Sequence, residues 1–596
     1  MNFAQLRHNR FLRVLFVPFH LRALVRGSEL GLTIAGMLVG AVSGLAVAAV
    51  GNISQWMHEA IFALSPGEKL SVASALPPSA IIAPAAGGVL MGVVMWMLSR
   101  WRKRAIVDPI EANALHGGRL SLTDSFILVG QNLISNGFGA SVGLEAAYTQ
   151  LMSGFASRLG RALKLRRADL RTLVGCGAAA AIASAFNAPL TGSFYAFELI
   201  IGTYSIATLA PVVMAAIVST LVTRAIEGAP YLIYISDIGA IAPRDYPPAL
   251  LLGLIAAGLA ILIMRGVTFM EQLTRRSGLP PLLSPVIGGA IVGLIALVSP
   301  QVLGSGHGAL HLDLNLNQTI STLVVLILAK SLASAVSIGA GFRGGLFFAS
   351  LLLGALTGKL FAAVGAIMLP AGVALSPGIY AVIGMSSLAV AIVGGPMTMT
   401  FLALEMTGNF PIAMLVLGAV VVSSLTVRKT FGYSFATWRF HLRGEAIRSA
   451  HDIGWIRNLT VNRIMRHDVR TMPVDIDMAT FLHDFPLGSA QRVIAVDDQG
   501  RYCGMIHVPE VYADNLDTSH DPPTLSSLLR HKDEFLLPEM NAKEAVARFD
   551  RAEAEALAVV NNAQERKVLG QLSEAHTLRR YSEELDRRRR EVSGEV

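Results

Sequence analysis

Two stretches of this chain repeat one another: GAAAAIASAFNAPLTGSFYAFEL at residues 177–199 and GMSSLAVAIVGGPMTMTFLALEM at residues 384–406. In each stretch a proline follows the first glycine by twelve residues, and a glutamate follows the proline by nine. Self-similarity of this kind indicates a duplicated architecture. Repeats of broken apolar segments are typical of transporters and channels whose site lies between the two halves. We therefore expect an internally duplicated membrane domain.

Composition agrees with this expectation. Of the 596 residues, 53% are hydrophobic and only 15% are charged, whereas soluble domains carry about 25% charged residues. A membrane-spanning helix takes about 20 apolar residues. Uncharged stretches of that length or more occur at residues 30–57, 173–197, 199–222, 360–404 and 406–427.

The formal net charge of +8 does not indicate a nucleic-acid partner. Lys and Arg that flank apolar spans favour the cytoplasmic side of a membrane. The visible basic clusters are juxtamembrane or terminal: Arg7–Arg26, Arg100–Arg104, Arg158–Arg171 and Arg587–Arg590. The two cysteines, Cys176 and Cys503, lie in different parts of the chain and form neither a disulfide framework nor a metal cluster.

Composition also predicts the domain boundaries. A break at IAPRDYPPA, residues 241–249, separates two apolar halves. The predicted order is a basic cytoplasmic segment at 1–28, a membrane domain at 29–445 with halves at about 29–240 and 248–430, a linker at 446–458, a soluble region at 459–580 and a charged tail at 581–596.

The soluble region contains a second, smaller duplication. Alternating apolar residues around a turn predict one β-hairpin at residues 492–508 and another at 556–573. A helical stretch precedes each hairpin, at Met478–Phe485 and at Lys543–Arg551. We expect two similar units, each a helix followed by a hairpin.

Glu145 is the first candidate functional residue. It is a lone carboxylate in an apolar segment, and such a group within a membrane is a functional candidate by default. Glycines at 137, 139 and 143 allow the chain to break before it, which places Glu145 near a helix start. Free N–H groups and the helix dipole attract anions there. The carboxylate would compete with a mobile anion for that place; the alternative is a helix-start carboxylate at the membrane interface.

The corresponding segment of the second half is GGLFFA at residues 344–349. Gly345 precedes Pro396 by 51 residues, and Gly143 precedes Pro189 by 46. Two helix starts from inverted halves would then meet and offer backbone N–H groups to one anion. Such a site needs no cationic side chain, which suits the weak, multi-site binding that conduction requires.

Four motifs, in this order, resemble the CLC family of chloride channels and chloride/proton exchangers over about residues 30–445: GLEAAYTQ at 143–150, the first repeat stretch, GFRGGLFFASLLLGALTG at 341–358 and FLALEMTGNF at 401–410. The C-terminal pair resembles tandem CBS domains. The resemblance implies an α-helical polytopic membrane protein, with an inverted repeat of tilted, partly spanning helices and a soluble α/β CBS pair. It also implies a homodimer with a pore in each subunit, a bacterial inner-membrane location, and CBS domains and both termini in the cytoplasm.

The resemblance assigns roles to individual residues. Glu145 falls on the family's gating glutamate, in the motif G-[KR]-E-G-P, and Leu199 falls on the proton-relaying glutamate of the exchangers. Neighbouring backbone and side-chain positions line the family's anion path. Here these positions are Gly143, Leu144 and Ala146 around the gate, Phe347 and Phe348 in the G-x-F-x-P motif, Ile106 at the serine of G-S-G-I-P, and Ala436 at the pore tyrosine.

These departures favour one mode of transport. Leu199 cannot carry a proton, and the changes at Ile106 and Ala436 remove two hydroxyl groups from the inner path. We therefore expect passive conduction of chloride or a similar monovalent anion such as nitrate, with a chloride/proton antiporter as the alternative. Asp108, next to the first anion-binding segment, would repel an anion unless it is protonated or turned away.

Other functions are weaker hypotheses. An enzyme is not expected, because the apolar region lacks a convergent His/Cys/Asp cluster or nucleophile motif. A sensor with a vestigial pore remains an alternative. No cofactor is expected, and nucleotide binding by the CBS pair is disfavoured, because the ribose-binding aspartate of G-x-x-[ST]-x-x-D is missing at Glu510 and at His576.

Overall fold

The computed structural model describes residues 29–73, 76–102, 106–228, 241–316, 318–368, 376–442, 459–514 and 525–593. The predicted segments 1–28 and 446–458 therefore lie outside the described residues. The chain divides into two compact units, residues 1–452 and residues 453–596.

The first half of unit one folds into a series of helices. They are α1 Glu29–Phe62, α2 Ala83–Trp101, α3 Pro109–Leu115, α4 Leu122–Gly137, α5 Glu145–Ala162, α6 Arg167–Phe186, α7 Pro189–Tyr195, which continues as a π-helical segment Ala196–Ile201, and α8 Ile206–Glu227.

The second half repeats this order after a short 3₁₀ turn at Pro243–Asp245. Its helices are α9 Tyr246–Arg276, α10 Ser284–Ala296, α11 His307–Asn315, α12 Ile320–Gly339, α13 Phe347–Met368, α14 Pro377–Val393, α15 Pro396–Thr407, α16 Phe410–Thr430 and a final α17 Phe435–Leu442. Each of α1 to α8 thus has a counterpart among α9 to α16, as the duplicated sequence predicts.

Two of the long uncharged stretches are not single spans. Residues 173–197 break at Asn187, which has the left-handed φ of 55° that asparagine tolerates, and α7 begins two residues later at Pro189. Residues 360–404 break before Pro396 at two glycines with φ of 94° and 74°. A proline suits the first turn of a helix, because its missing N–H would have no partner there. The repeat therefore makes two short helices that each begin at a proline, α7 and α15.

Glycines allow the first and the last helix of each half to pack closely against each other. A Cβ on Gly40 of α1 would lie 2.3 Å from the carbonyl oxygen of Ala215 in α8. A Cβ on Gly253 of α9 would lie 2.4 Å from the carbonyl oxygen of Ala419 in α16. Small residues let helix backbones approach where lipid provides no hydrophobic drive.

Helix length and composition identify a multi-pass membrane protein. Among the described residues, eight helical segments are long and apolar enough to cross a membrane. Large apolar side chains on these segments face outward, including Leu38, Trp56, Leu262 and Phe269. In water such a surface would favour aggregation, whereas lipid accommodates it.

Unit two confirms the two helix–hairpin units. Its elements are α18 Val461–Ile464, β1 Thr471–Pro473, α19 Met478–Asp484, β2 Arg492–Val496, β3 Tyr502–His507, α20 Val508–Asp514, α21 Ala542–Ala552, β4 Ala556–Val560, β5 Val568–Ser573 and α22 Glu574–Ser593. β2 pairs antiparallel with β3 and parallel with β1, and β4 pairs antiparallel with β5. This arrangement is consistent with a tandem CBS pair. Helix α22 runs through residue 580, so the predicted tail continues a helix that begins at Glu574.

Candidate functional site

The two predicted helix starts meet. The backbone N–H of Gly143, two residues before α5, donates to the carbonyl of Gly345 at 2.9 Å, and the N–H of Gly345, two residues before α13, donates to the carbonyl of Gly143 at 3.3 Å. This reciprocal pair joins the two halves of the duplication at equivalent positions. The first N–H groups of a helix have no partner within it, so the bridge brings two sets of donors side by side.

Side chains of α4 hold the loop that leads to α5. The Asn132 amide donates to the carbonyl of Gly143 at 3.2 Å, and the Asn136 amide donates to the carbonyl of Val142 at 2.8 Å. Both asparagines are buried. A buried amide that binds a loop carbonyl fixes the direction of the peptide, because an unpaired buried group is costly. The loop is therefore held in place by polar contacts rather than by packing alone.

Glu145 is the first residue of α5 and is only 3% exposed. Neither carboxylate oxygen makes a hydrogen bond to any residue in the described part of the chain. The carboxylate folds back over Gly143, where a Cβ would lie 2.0 Å from Oε2. Burying a carboxylate without hydrogen-bond partners costs free energy. This cost is consistent with a side chain that can move away from its buried position.

Phe347 and Phe348 open α13 and are both buried. The ring of Phe186, at the end of α6, lies 4.9 Å from that of Phe347 and 5.9 Å from that of Phe348. The His307 ring stacks on Phe348 at 3.5 Å. These aromatic groups pack against the side chains that open α13.

A third helix start, that of α3, lies beside α5. Asp108 caps α3, with its Oδ1 accepting from the N–H of Ile110 at 2.8 Å. This oxygen is therefore turned towards its own helix. A carboxylate beside an anion path would have to be either protonated or turned away from the path, and this is the second of those arrangements. The side chain of Gln150 in α5 donates to the carbonyl of Val107 at 3.0 Å, which ties this segment to α5. Ile106 is half-buried in the same segment.

Ala436 lies near the start of α17 and is half-buried. It packs against the same buried cluster as Val107 and Tyr195. The ring of Tyr195, from α7, lies 6.1 Å from that of Phe347. The structure thus brings residues of α3, α7, α13 and α17 together around the predicted path. Sequence reasoning did not predict that Tyr195 lies here, because its only signal was a hydroxyl within the apolar repeat stretch.

Leu199 lies in the π-helical segment after α7, where its Cδ2 approaches Gly394. Glu198 beside it caps α15, accepting from the N–H groups of Met397 and Thr398 at 3.0 and 2.9 Å and from the Thr398 hydroxyl at 2.7 Å. Leu199 therefore follows a glutamate whose carboxylate is already engaged.

Glu405 makes the mirror-image cap on α7. It accepts from the N–H groups of Leu190 and Thr191, both at 2.8 Å, and from the Thr191 hydroxyl at 2.7 Å. The repeated glutamates thus accept backbone hydrogen bonds at helix starts, as their equivalent positions suggest, and each caps a helix of the opposite half.

Fold and site together define a duplicated membrane transport protein whose helix starts converge between its halves. Residues 87–428 match the family model described as voltage gated chloride channel. The chain belongs to this CLC family.

Known members of the family match this chain over most of their own length. A ClcB-like chloride channel protein of Ralstonia nicotianae is 31% identical over 368 residues, which cover 61% of this chain and 85% of that protein. The voltage-gated ClC-type chloride channel ClcB of Salmonella typhimurium is 30% identical over 398 residues, 66% of this chain and 94% of that one.

Solved structures confirm the fold. A slow cyanobacterial Cl⁻/H⁺ antiporter superimposes with a TM-score of 0.60 at 23% identity and covers 69% of this chain and 97% of its own. A eukaryotic CLC transporter superimposes with a TM-score of 0.58 at 18% identity and covers 93% and 98%. No group of three or more His, Cys, Asp or Glu suited to a metal ion occurs among the residues that the structure describes.

Proposed function

We propose that this protein carries chloride or a similar monovalent anion across a membrane, along a path between the starts of α5 and α13, with Glu145 as its gate. The observation that carries the proposal is the buried Glu145 carboxylate folded over Gly143, at the point where the two halves are bridged. A negative group occupies the place where helix-start N–H groups would bind an anion.

The surroundings favour transit over tight binding. Backbone N–H groups and helix dipoles carry partial charges, so each helix start attracts an anion without forming an ion pair. Residues near the start of α13, such as Phe347 and Phe348, add apolar walls. Conduction requires binding that is favourable enough to admit an ion and weak enough to release it.

Passive conduction is the favoured mode. Leu199 has no titratable group, and the neighbouring Glu198 carboxylate is held by three hydrogen bonds at the start of α15. A proton path from the inner side would have to avoid both residues. The names of the curated relatives, chloride channels, support the same choice.

A chloride/proton antiporter is the second candidate. It is favoured by the likeness to the fold of the cyanobacterial Cl⁻/H⁺ antiporter and by a titratable group at the gate itself. The two candidates differ in one measurable quantity, the coupling between anion and proton movement.

The test uses the intact protein in sealed liposomes. A chloride gradient is imposed, and chloride efflux and internal pH are recorded together. We expect chloride flux that collapses the gradient without driving uphill proton movement. Stoichiometric proton uptake against its gradient would establish the antiporter, and a lack of any anion flux would overturn the transport proposal.

We also propose a homodimer in a bacterial inner membrane, with the CBS pair in the cytoplasm as a dimerising platform and no nucleotide cofactor. The chain truncated after about residue 450 separates transporter from sensor, because a pore that works alone should retain anion flux without unit two. Anion flux in the intact protein that is retained in the truncated protein supports a transporter, whereas a folded, dimeric intact protein that carries no anion flux supports the sensor.

A further inference from the structure

Two serines hold backbone groups of the opposite half, close to the glycine bridge between the halves. Ser337, in α12 of the second half, accepts a hydrogen bond through its hydroxyl oxygen from the N–H of Ser141 at 3.0 Å. Ser135, in α4 of the first half, accepts in the same way from the N–H of Arg343 at 2.9 Å. Both donors lie two residues before a bridge glycine. Each loop that leads to the bridge is therefore held by a side chain from the other half.

The two contacts are equivalent by the duplication. Ser135 and Ser337 are 202 positions apart in sequence, and so are Ser141 and Arg343 and the two bridge glycines. The helices that carry the serines, α4 and α12, are counterparts, as are α5 and α13, to which the two loops lead. The halves thus exchange one serine contact in each direction beside their reciprocal backbone bridge.

Helix α12 holds the loop that leads to α5 through a second hydroxyl. Ser334 lies one turn before Ser337, and its hydroxyl forms a hydrogen bond of 3.0 Å with the Ser141 hydroxyl. All three serines are buried. Residues three apart share one face of a helix. This face of α12, from the second half, therefore binds Ser141, in the first half, through both its backbone N–H and its side chain.

Lys330 extends the same face of α12, four residues before Ser334. Its side chain is buried, and Nζ donates to the carbonyl of Gly304 at 2.9 Å. The N–H of Gly304 donates in turn to the carbonyl of Gly139 at 3.2 Å. Gly139 lies two residues before Ser141 in the same loop. The polar face of α12 thus supports this loop at two positions, once directly and once through Gly304.

We propose that Ser135 and Ser337 are positioning residues of the anion site, which fix the starts of α5 and α13 relative to each other and so set how tightly these starts bind an anion. The inference rests on the proposed anion transport and assigns residues that preorganise its site. A hydrogen bond weakens steeply when its donor N–H turns away from the acceptor. An anion that meets donors already aligned does not have to order them on binding.

The exchange between halves gives these hydroxyl groups their effect. A buried backbone N–H needs an acceptor, and the N–H groups of Ser141 and Arg343 find theirs across the boundary between the halves. Two loops that were satisfied only within their own halves would be free to shift with those halves. With crossed contacts, Glu145 leaves its place by rotation of its side chain, while the backbone N–H groups behind it stay aligned.

The test measures chloride binding directly, by isothermal titration calorimetry of the full-length protein in detergent after chloride has been removed. We expect the dissociation constant for chloride to rise about two- to tenfold in Ser337→Ala and in Ser135→Ala, the effect of one hydrogen bond. Ser337→Cys and Ser135→Cys keep a side chain of similar size with a weaker acceptor, and their dissociation constants should rise as well. An unchanged constant in the folded alanine or cysteine variants overturns the proposal.

Ser423→Ala is the matched control. Ser423 is a buried serine of α16, and its hydroxyl donates to the carbonyl of Ser387 in α14 at 2.8 Å. Neither helix carries one of the bridged loops. This substitution should lower the thermal unfolding midpoint to a degree similar to that of Ser337→Ala and leave chloride binding unchanged. A hydroxyl with a purely structural role at position 337 would give the same result as the control.

The double variant Ser135→Ala/Ser337→Ala tests whether the two serines act on one shared arrangement. Residues that support the same arrangement have non-additive effects. We expect the dissociation constant to rise by clearly less than the product of the two single effects, because the first substitution already releases the two helix starts from each other. A rise equal to that product overturns the shared positioning. If the wild-type protein neither binds nor conducts chloride, the proposed function itself fails, so the two failures are distinguishable.

Discussion

Gly143 and Gly345 hydrogen-bond to each other through both of their backbone groups, N–H to carbonyl in each direction, at 2.9 and 3.3 Å. Each glycine lies two residues before a helix that begins at the site, α5 for Gly143 and α13 for Gly345. The two hydrogen bonds hold the start of α5, from one half, next to the start of α13, from the other half. The two glycines differ in their surroundings, however, and this difference yields a direct test of the gate.

Gly143→Ala should open the gate. The added methyl group would need the space that Glu145 Oε2 occupies, 2.0 Å away. Overpacking costs about 1–3 kcal/mol, enough to shift the equilibrium between the seated and the displaced carboxylate by about fivefold to a hundredfold. We expect anion flux in liposomes to rise at neutral pH and its pH dependence to weaken.

Gly345→Ala is the matched control. A Cβ there meets Ala146 Cβ at 3.7 Å, an ordinary contact. Its flux and pH profile should stay close to those of the wild type. Equal effects of the two substitutions would indicate that damage to the bridge, and not displacement of the carboxylate, changes the flux.

Glu145→Gln should conduct at a high rate with little pH dependence. In the wild type, protonation removes the negative charge that holds the carboxylate at the helix start. Flux should therefore be low where Glu145 is ionised and should rise as the pH falls. The measurement is chloride efflux from liposomes over a range of pH, for the wild type, Glu145→Gln and Glu145→Ala. A folded Glu145→Gln protein with the wild-type pH profile would exclude Glu145 as the gate and make Asp108 the next candidate.

Glu198→Ala and Glu405→Ala should destabilise the membrane domain to a similar degree. Each substitution leaves two backbone N–H groups and one threonine hydroxyl at a helix start without their acceptor. An unpaired buried donor costs about 1–3 kcal/mol. We expect a lower thermal unfolding midpoint in detergent for both variants, while Glu29→Ala, an exposed carboxylate at the start of α1, stays near the wild type. A change in proton coupling in Glu198→Gln, without a loss of stability, would assign Glu198 to a proton path instead.

Covalently linked dimers should show two independent pores, because each chain contains both halves of the duplication. With Glu145→Gln in one subunit only, flux at high pH should be about half that of the doubly substituted dimer, since symmetry-related pores add. It should then rise on acidification as the wild-type subunit opens. A linked dimer that behaves like either parent at every pH would indicate one shared pore.

The hydrophobic periodicity of the sequence and the positions of its glycines and prolines predicted much of the fold. The repeated glycine and proline positions predicted the duplication, and Gly143 and GGLFFA predicted the helix starts at Glu145 and Phe347. Local chemistry suffices for these features, because proline, glycine and asparagine restrict or free the backbone wherever they stand. The helix and hairpin pairs of unit two followed from the same kind of pattern.

Only the tertiary structure decided which groups meet. Glu198 and Glu405 have equivalent positions in sequence, but that each caps a helix of the opposite half depends on how the halves pack. The rings of Tyr195 and Phe347 lie 6.1 Å apart, although the two residues are 152 positions apart in sequence, and no periodicity in one segment encodes the distance to another. A sequence fixes where a chain can start, bend and end a helix through short-range sterics and hydrogen bonds. The contacts between helix starts arise from packing between distant segments, and these contacts place the Glu145 carboxylate over Gly143 at the bridge to Gly345.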